Sequence, residues 1–269
     1  MAASNLLFGV LLVAASFAAN ADAAEVPYDE KTALAISQAA VGREIGNHSL
    51  TDRTGQPLDL AELRGRPLIV SLIYTSCYHV CPMLTQHLEE VVEVAREALG
   101  EQSFNVLTVG FDTAVDTPPR MNLYAQDRGI HLPGWYFASS DEVTIGGLAS
   151  DLGFVYFASP KGFDHMAQTT VLSADGRVYR QVYGQDFEAP LLVEPLKQLV
   201  LGTPPESGTV HAWLGKVRLL CTIYDPTSGR YKFDYSIIVS LFVGLLCLGS
   251  VAAFIVHAWR GSKPSGPAF

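Results

Sequence analysis

Residues 74–83 read Tyr74-Thr75-Ser76-Cys77-Tyr78-His79-Val80-Cys81-Pro82-Met83, two cysteines four positions apart with a proline directly behind the second. Upstream, Leu68-Ile69-Val70-Ser71-Leu72-Ile73-Tyr74 has the length and β-branched content of a buried strand. Downstream, residues 83–99 carry apolar side chains at Leu84, Leu88, Val91, Val92 and Ala95 with charges between them, which is a helical period. The thiols therefore lie where a core strand ends and a helix begins.

That position has chemical consequences. Proline is tolerated in the first turn of a helix, so Pro82 marks the start and Cys81 sits near the N-cap. Unpaired amide N–H groups and the positive end of the helix dipole favour thiolate, the form that attacks disulfides and binds metals. Two such sulfurs either close into a disulfide or clamp a soft metal ion. Two sulfurs alone leave a copper or zinc site incomplete, so a third ligand is required. A purely structural disulfide here closes only a small loop and adds little stability.

The 269 residues suffice for one sizeable domain with appendages. A formal charge of −9 and no basic patch argue against a nucleic-acid partner. Four cysteines, Cys77, Cys81, Cys221 and Cys247, are too few for a disulfide scaffold. Residues 1–24 read as an export signal: residues 6–19 are apolar and uncharged, and Ala19-Asn20-Ala21 and Ala21-Asp22-Ala23 fit the small-x-small cleavage pattern, although no Lys or Arg precedes the apolar run. Residues 237–256 are almost wholly apolar, and at ~1.5 Å per residue they match a hydrocarbon core of ~30 Å. Arg260 and Lys263 follow with no acid, which puts the tail on the cytoplasmic side and the domain on the periplasmic side of a cell membrane. The chain thus divides into a signal peptide (1–24), the main domain (25–200), a juxtamembrane extension (201–234), a transmembrane helix (235–257) and a short tail (258–269).

Within the domain, residues 25–47 are poorly periodic and predict extended chain or a short helix. Residues 50–58 predict a hairpin turning at Thr54-Gly55. Strands are expected at 104–111, 135–138 and 154–158, and helices from Pro118-Pro119 to about 128 and over 140–152, the latter with Ser140 as N-cap. Residues 168–172 and 178–182 flank Ala174-Asp175-Gly176, a hairpin signal, and 186–200 close with a helix. Strands alternating with helices imply a parallel core, and the late hairpin adds an antiparallel edge. A cysteine pair at the first strand-to-helix junction of this pattern predicts a thioredoxin-like α/β fold.

The candidate third ligand is His165, in Lys161-Gly162-Phe163-Asp164-His165-Met166, read as a loop before the late hairpin. In such a sheet that hairpin's first strand runs beside the cysteine strand, so its leading loop reaches the thiols. An imidazole with two thiolates suits copper. Asp164 is a candidate outer-shell group.

Together these residues resemble the Sco/SenC family, the copper chaperones and thiol oxidoreductases of cytochrome c oxidase assembly. The likeness covers about residues 47–200 and rests on Cys77-x-x-x-Cys81-Pro82 after an apolar strand, Asp164-His165, Asp116-Thr117-Pro118 and the turn at Asp175-Gly176. It implies Cys77, Cys81 and His165 as ligands for one copper, Cu(I) or Cu(II), and delivery to the dinuclear copper site of oxidase subunit II, directly or through its assembly factors. The chain departs from the family pattern at Tyr78, His79 and Thr113, in its C-terminal helix and in the stretch around Cys221.

Other readings compete. A thiol–disulfide oxidoreductase needs both thiols and does not need His165. A thiol peroxidase needs a threonine three residues before its cysteine, whereas Thr75 is two before Cys77. A copper sensor needs more tail than residues 260–269 provide. His79 is an ambiguous extra ligand; His87 and Met83 read as packing or surface residues, Cys221 and Cys247 as packing thiols, and Asp112 and Asp116 as loop and helix-capping residues, with docking as the alternative.

Overall fold

The computed structural model describes residues 29–202, 222–225, 228 and 230–261. The expected signal peptide, Cys221 and most of the tail lie outside the described residues.

Asp29 opens α1 (Glu30–Ala39) by accepting the Thr32 N–H at 3.0 Å. The hairpin β1 (Ser49–Asp52) and β2 (Pro57–Asp59) forms as expected. One carboxylate oxygen of Asp52 gathers the Thr54 N–H at 2.8 Å, the Thr54 hydroxyl at 2.7 Å and the Gln56 N–H at 2.9 Å around the turn. Then come β3 (Leu68–Ile73), α2 (Val80–Leu99), β4 (Asn105–Gly110), α3 (Pro118–Asp127), β5 (Trp135–Ser139) and α4 (Glu142–Leu152). The N-cap of α4 is Asp141, which accepts the Thr144 N–H at 2.9 Å, and not the expected Ser140. Ser140 instead donates to the Ser49 carbonyl, pinning the helix entry to β1.

Next are β6 (Tyr156–Ser159), β7 (Gly162–His165), β8 (Gln168–Leu172), β9 (Val178–Tyr183) and α5 (Ala189–Gly202). The strand β7 corrects the loop expected around His165. Among the described residues it pairs with β6 alone, as a two-stranded sheet separate from the main one.

The main sheet has seven strands in the order β2-β1-β5-β4-β3-β8-β9. The strands β3, β4 and β5 are parallel, and β8 runs antiparallel against β3 with Ser71 opposite Thr169. Every residue of β3 is buried. Successive strand side chains point to opposite faces, so both faces of the sheet are covered and the domain has three layers. On one of these faces α2 packs beside α5.

Part of the extension is structured. The strands β10 (Thr222–Asp225) and β11 (Arg230–Phe233) pair antiparallel, and β11 docks on the domain. The Tyr231 hydroxyl donates to Glu194 of α5 at 3.0 Å, and Arg230 lies 3.6 Å from Glu97 of α2. Two residues separate β11 from α6 (Ser236–Gly261). Within residues 239–260 an 18-residue window has a mean hydropathy of 2.5 and none of that window is covered by the domain, so the helix is long and apolar enough to cross a membrane.

Candidate metal centre

The loop between β3 and α2 carries the first thiol, and the first turn of α2 carries the second. His79 is the N-cap, so Cys81 lies inside the helix rather than at its edge. Cys81 is buried, at 1% exposure, and Cys77 is half-buried above it. Both thiols are free, and the Cys81 N–H donates to the Cys77 sulfur at 3.4 Å. The helix terminus was expected to favour thiolate at both positions; the structure splits them. The Cys81 thiol donates to Cys77 and, with the backbone N–H groups of Cys81 and His79 and the Tyr74 phenol, pulls the Cys77 pKa down to about 4 against the effect of burial. Cys81 is pushed up, because its proton is held in the bond to Cys77 and the group is buried. The pair is one accessible thiolate and one buried thiol.

His165, the last residue of β7, sits in an aromatic cage. Its ring centroid is 5.5 Å from Phe111, 5.5 Å from Phe154 and 5.8 Å from Tyr74. The hairpin lies close on Tyr74: a Cβ added at Gly162, whose φ is +114°, would stand 3.1 Å from the Tyr74 ring. Burial lowers the His165 pKa, so the ring is neutral. Its Nδ1 lies 3.2 Å from the Met166 carbonyl, which assigns the proton to Nδ1 and leaves the Nε2 lone pair open to a metal. Asp164 is exposed, as alternation along β7 requires.

The structure thus brings Cys77 and Cys81 together and sets His165 beside Tyr74, whose phenol is electrostatically coupled to Cys77. Among the described residues no three His, Cys, Asp or Glu side chains form a ready-made metal cage. The donor chemistry suits a soft ion: a thiolate, a thiol that a metal can deprotonate, and a neutral imidazole.

Three features escaped the sequence. Tyr74 touches both halves of the site. Phe111 and Phe154 lie in predicted strands but meet the histidine ring, and Tyr156 and Phe163 pack behind them on Phe111. Asp116 was expected to cap a helix, yet α3 has Thr117 as N-cap with no side-chain bond. Asp116 instead points back to the cysteine loop, accepting the Thr75 N–H at 2.9 Å and the Thr75 hydroxyl at 2.6 Å. The Asp-Thr-Pro segment was the one signal for it. Thr75, engaged there, is drawn away from a peroxidatic role. His79 is exposed, Tyr78 is 96% exposed, and Met83 is exposed on α2. His87 packs edge-on against Phe187 with Nε2 2.6 Å from its carbonyl, a packing role.

A parallel core flanked by helices, with a thiol pair at the first strand-to-helix junction and an antiparallel β8–β9 edge, defines a thioredoxin-like protein. Residues 37–201 match the model of the SCO1/SenC family, and the chain belongs to that family. It is 29% identical over 201 residues to the mitochondrial protein SCO2 homolog of Mus musculus, covering 71% of this chain and 75% of that protein. The structure of Bradyrhizobium japonicum ScoI with copper bound superposes with a TM-score of 0.50 at 22% identity, over 59% of this chain and 99% of that one. BsSco, a member of the Sco family of cytochrome c oxidase assembly proteins in which a disulfide switch was identified, superposes with a TM-score of 0.52 at 16% identity, over 59% and 95%. At these identities the two structures support the fold.

Proposed function

We propose that this protein is a membrane-anchored copper chaperone that binds one copper through Cys77, Cys81 and His165 and delivers it to the dinuclear copper site of cytochrome c oxidase subunit II. The observation that carries the reading is the shared wall: the Tyr74 phenol acts electrostatically on the Cys77 thiolate and its ring packs against the His165 ring, so one residue borders both halves of a soft donor set. Family membership and the copper-bound relative agree with it. Copper is cargo here. Cys77 meets the ion as thiolate, Cys81 gives up its proton on binding, and neutral His165 completes the set through Nε2. Among the described strands the hairpin β6–β7, which carries His165, is not paired with the main sheet, so closing onto the sulfurs breaks no ladder there. The helix α6 anchors the domain on the periplasmic side, with the short tail in the cytoplasm, and confines the search for a membrane-bound client to two dimensions.

The test is copper stoichiometry and spectroscopy on the reduced protein beside His165→Ala and Cys77→Ser. One copper per chain, with a thiolate-to-Cu(II) charge-transfer band lost in both variants, is expected. Unchanged binding in both variants overturns the ligand set.

A second reading has its own observation. One low-pKa thiolate over a buried thiol is the arrangement of a dithiol reductant. A protein that keeps its client's copper-ligand cysteines reduced needs both thiols and tolerates His165→Ala. Full rescue of oxidase assembly by His165→Ala favours this reading over metal delivery.

A further inference from the structure

Two carboxylates in this chain make the same three-donor pattern in very different places. Asp52 gathers Thr54 and Gln56 around its own exposed turn. Asp116 does so at long range. One of its oxygens accepts the Thr75 N–H at 2.9 Å and the Thr75 hydroxyl at 2.6 Å, and the other accepts the Asp112 N–H at 2.9 Å. Asp116 is 1% exposed. The backbone makes room for it: a Cβ on Gly110 would stand 2.4 Å from the Asp116 Cβ. A buried carboxylate that accepts three protein donors and pairs with no cation among the described residues is costly unless those bonds are kept. What it holds is the residue two before Cys77.

We propose that Asp116 is the positioning residue of the thiol pair: by pinning Thr75 to the loop after β4, it holds Cys77 where its sulfur receives the Cys81 N–H. This deepens the reading above, since it takes Cys77 and Cys81 as the working thiols. Three anchors bracket the loop. Tyr74 is wedged between Phe111 and Phe163, at 5.4 and 5.3 Å between ring centroids, the Cys77 N–H donates to the Tyr74 carbonyl at 3.1 Å, and Asp116 fixes Thr75 from the far side. Tyr74 has packing to hold it; Thr75 has the carboxylate.

The tether acts unequally on the two redox states. In the dithiol, Cys77 is located by the loop and by weak bonds to its sulfur. In the disulfide, the covalent bond to Cys81 locates it. Loss of the tether therefore penalises the reduced form more, and oxidation becomes easier. The exchange with glutathione disulfide balances as follows. The Cys77 thiolate attacks one sulfur and breaks the S–S bond, releasing one glutathione thiolate. Cys81 passes its proton to that thiolate and displaces the second glutathione, forming the intramolecular disulfide. Two electrons pass from the protein dithiol to glutathione disulfide.

The experiment is an anaerobic glutathione titration of the full chain in detergent, comparing wild type with Thr75→Val, Thr75→Ser, Asp116→Asn and Thr54→Val, each checked for folding by circular dichroism. The Thr75→Val variant keeps the shape and removes the hydroxyl. Its equilibrium constant for oxidation should rise about tenfold, about 30 mV for a two-electron couple. The Thr75→Ser variant should restore the wild-type value. The Thr54→Val change, which removes the matching bond in the β1–β2 turn, should lower stability and leave the constant unchanged. A Thr75→Val constant within twofold of wild type, a shift toward reduction, or an equal shift in Thr54→Val overturns the proposal. Should Asp116→Asn not fold, the threonine variants decide alone. The titration uses no copper, so a wild-type protein that binds none sinks the chaperone reading and leaves this result standing.

Discussion

The Tyr74 ring meets the His165 ring edge-on, at 84° between planes, while its phenol interacts with the Cys77 thiolate. Burial and the adjoining Cys77 raise the phenol to about 12, so it stays protonated and remains a donor.

The first prediction concerns this hydroxyl. In Tyr74→Phe the Cys77 thiolate loses one donor, and its pKa rises by about one unit, the equivalent of one charge-assisted hydrogen bond. Since only the thiolate reacts, alkylation of the reduced, metal-free protein should have its midpoint near the Cys77 value of about 4 in wild type and higher in the variant. The variant should react more slowly near pH 5 and converge with wild type near neutrality. Superimposable pH profiles would remove Tyr74 from the account.

Phe111 touches Tyr74, Phe154, Tyr156, Phe163 and His165 and is buried. Truncation to alanine should cost about 3–5 kcal/mol in urea unfolding. The β6–β7 hairpin should gain amide exchange beyond that global loss, because the Phe111 ring that supports Tyr156, Phe163 and His165 is gone. A loss below about 1 kcal/mol would mean that the cage does not pack as a unit.

Gly110 sits under Asp116. In Gly110→Ala the new methyl meets the Asp116 Cβ at 2.4 Å and the Met121 sulfur at 2.8 Å. The methionine can give way; the aspartate Cβ moves only with its backbone. Destabilisation of about 1–3 kcal/mol is expected from calorimetry. A neutral substitution would show that the β4–α3 loop is not held where the structure places it.

The docking of β11 makes a separate claim. Tyr231→Ala removes the bond to Glu194 and the ring packed beside Tyr224, at 5.3 Å between centroids. Limited proteolysis within residues 222–235 should accelerate at least several-fold while the unfolding midpoint of the domain moves little. Arg230→Ala should matter less, since its pair with Glu97 is solvent-exposed and worth about 0–1 kcal/mol. Equal effects of the two changes would point to the ion pair as the main anchor.

Much of the fold was legible because its signals are local. Five β-branched or aliphatic positions from Leu68 to Ile73, the helical period through Leu88 and Val92, and the Thr54-Gly55 and Asp175-Gly176 turns each act over a few residues. The misses share a cause. Ser140 and Asp141 are both good caps, and the Ser140 bond to β1, which leaves the cap to Asp141, is a tertiary contact. The strand β7 holds too few residues for a periodic pattern and exists through its pairing with β6. The docking of Tyr231 depends on Glu194 of α5, which precedes it by thirty-seven residues.

The sequence by itself determined the thioredoxin-like order of strands and helices, the place of Cys77 and Cys81 at the first strand-to-helix junction, and the apolar helix near the C-terminus. Those features follow from periodicity, proline and local hydropathy, which need no knowledge of distant partners. Only the tertiary structure decided that Cys77 is the thiolate and Cys81 the buried thiol, that Tyr74 stands between sulfur and imidazole, and that Asp116 ties down Thr75 from forty-one residues away. Ionisation and hydrogen bonding depend on burial and on which groups meet across the sheet, and the folded chain alone supplies both.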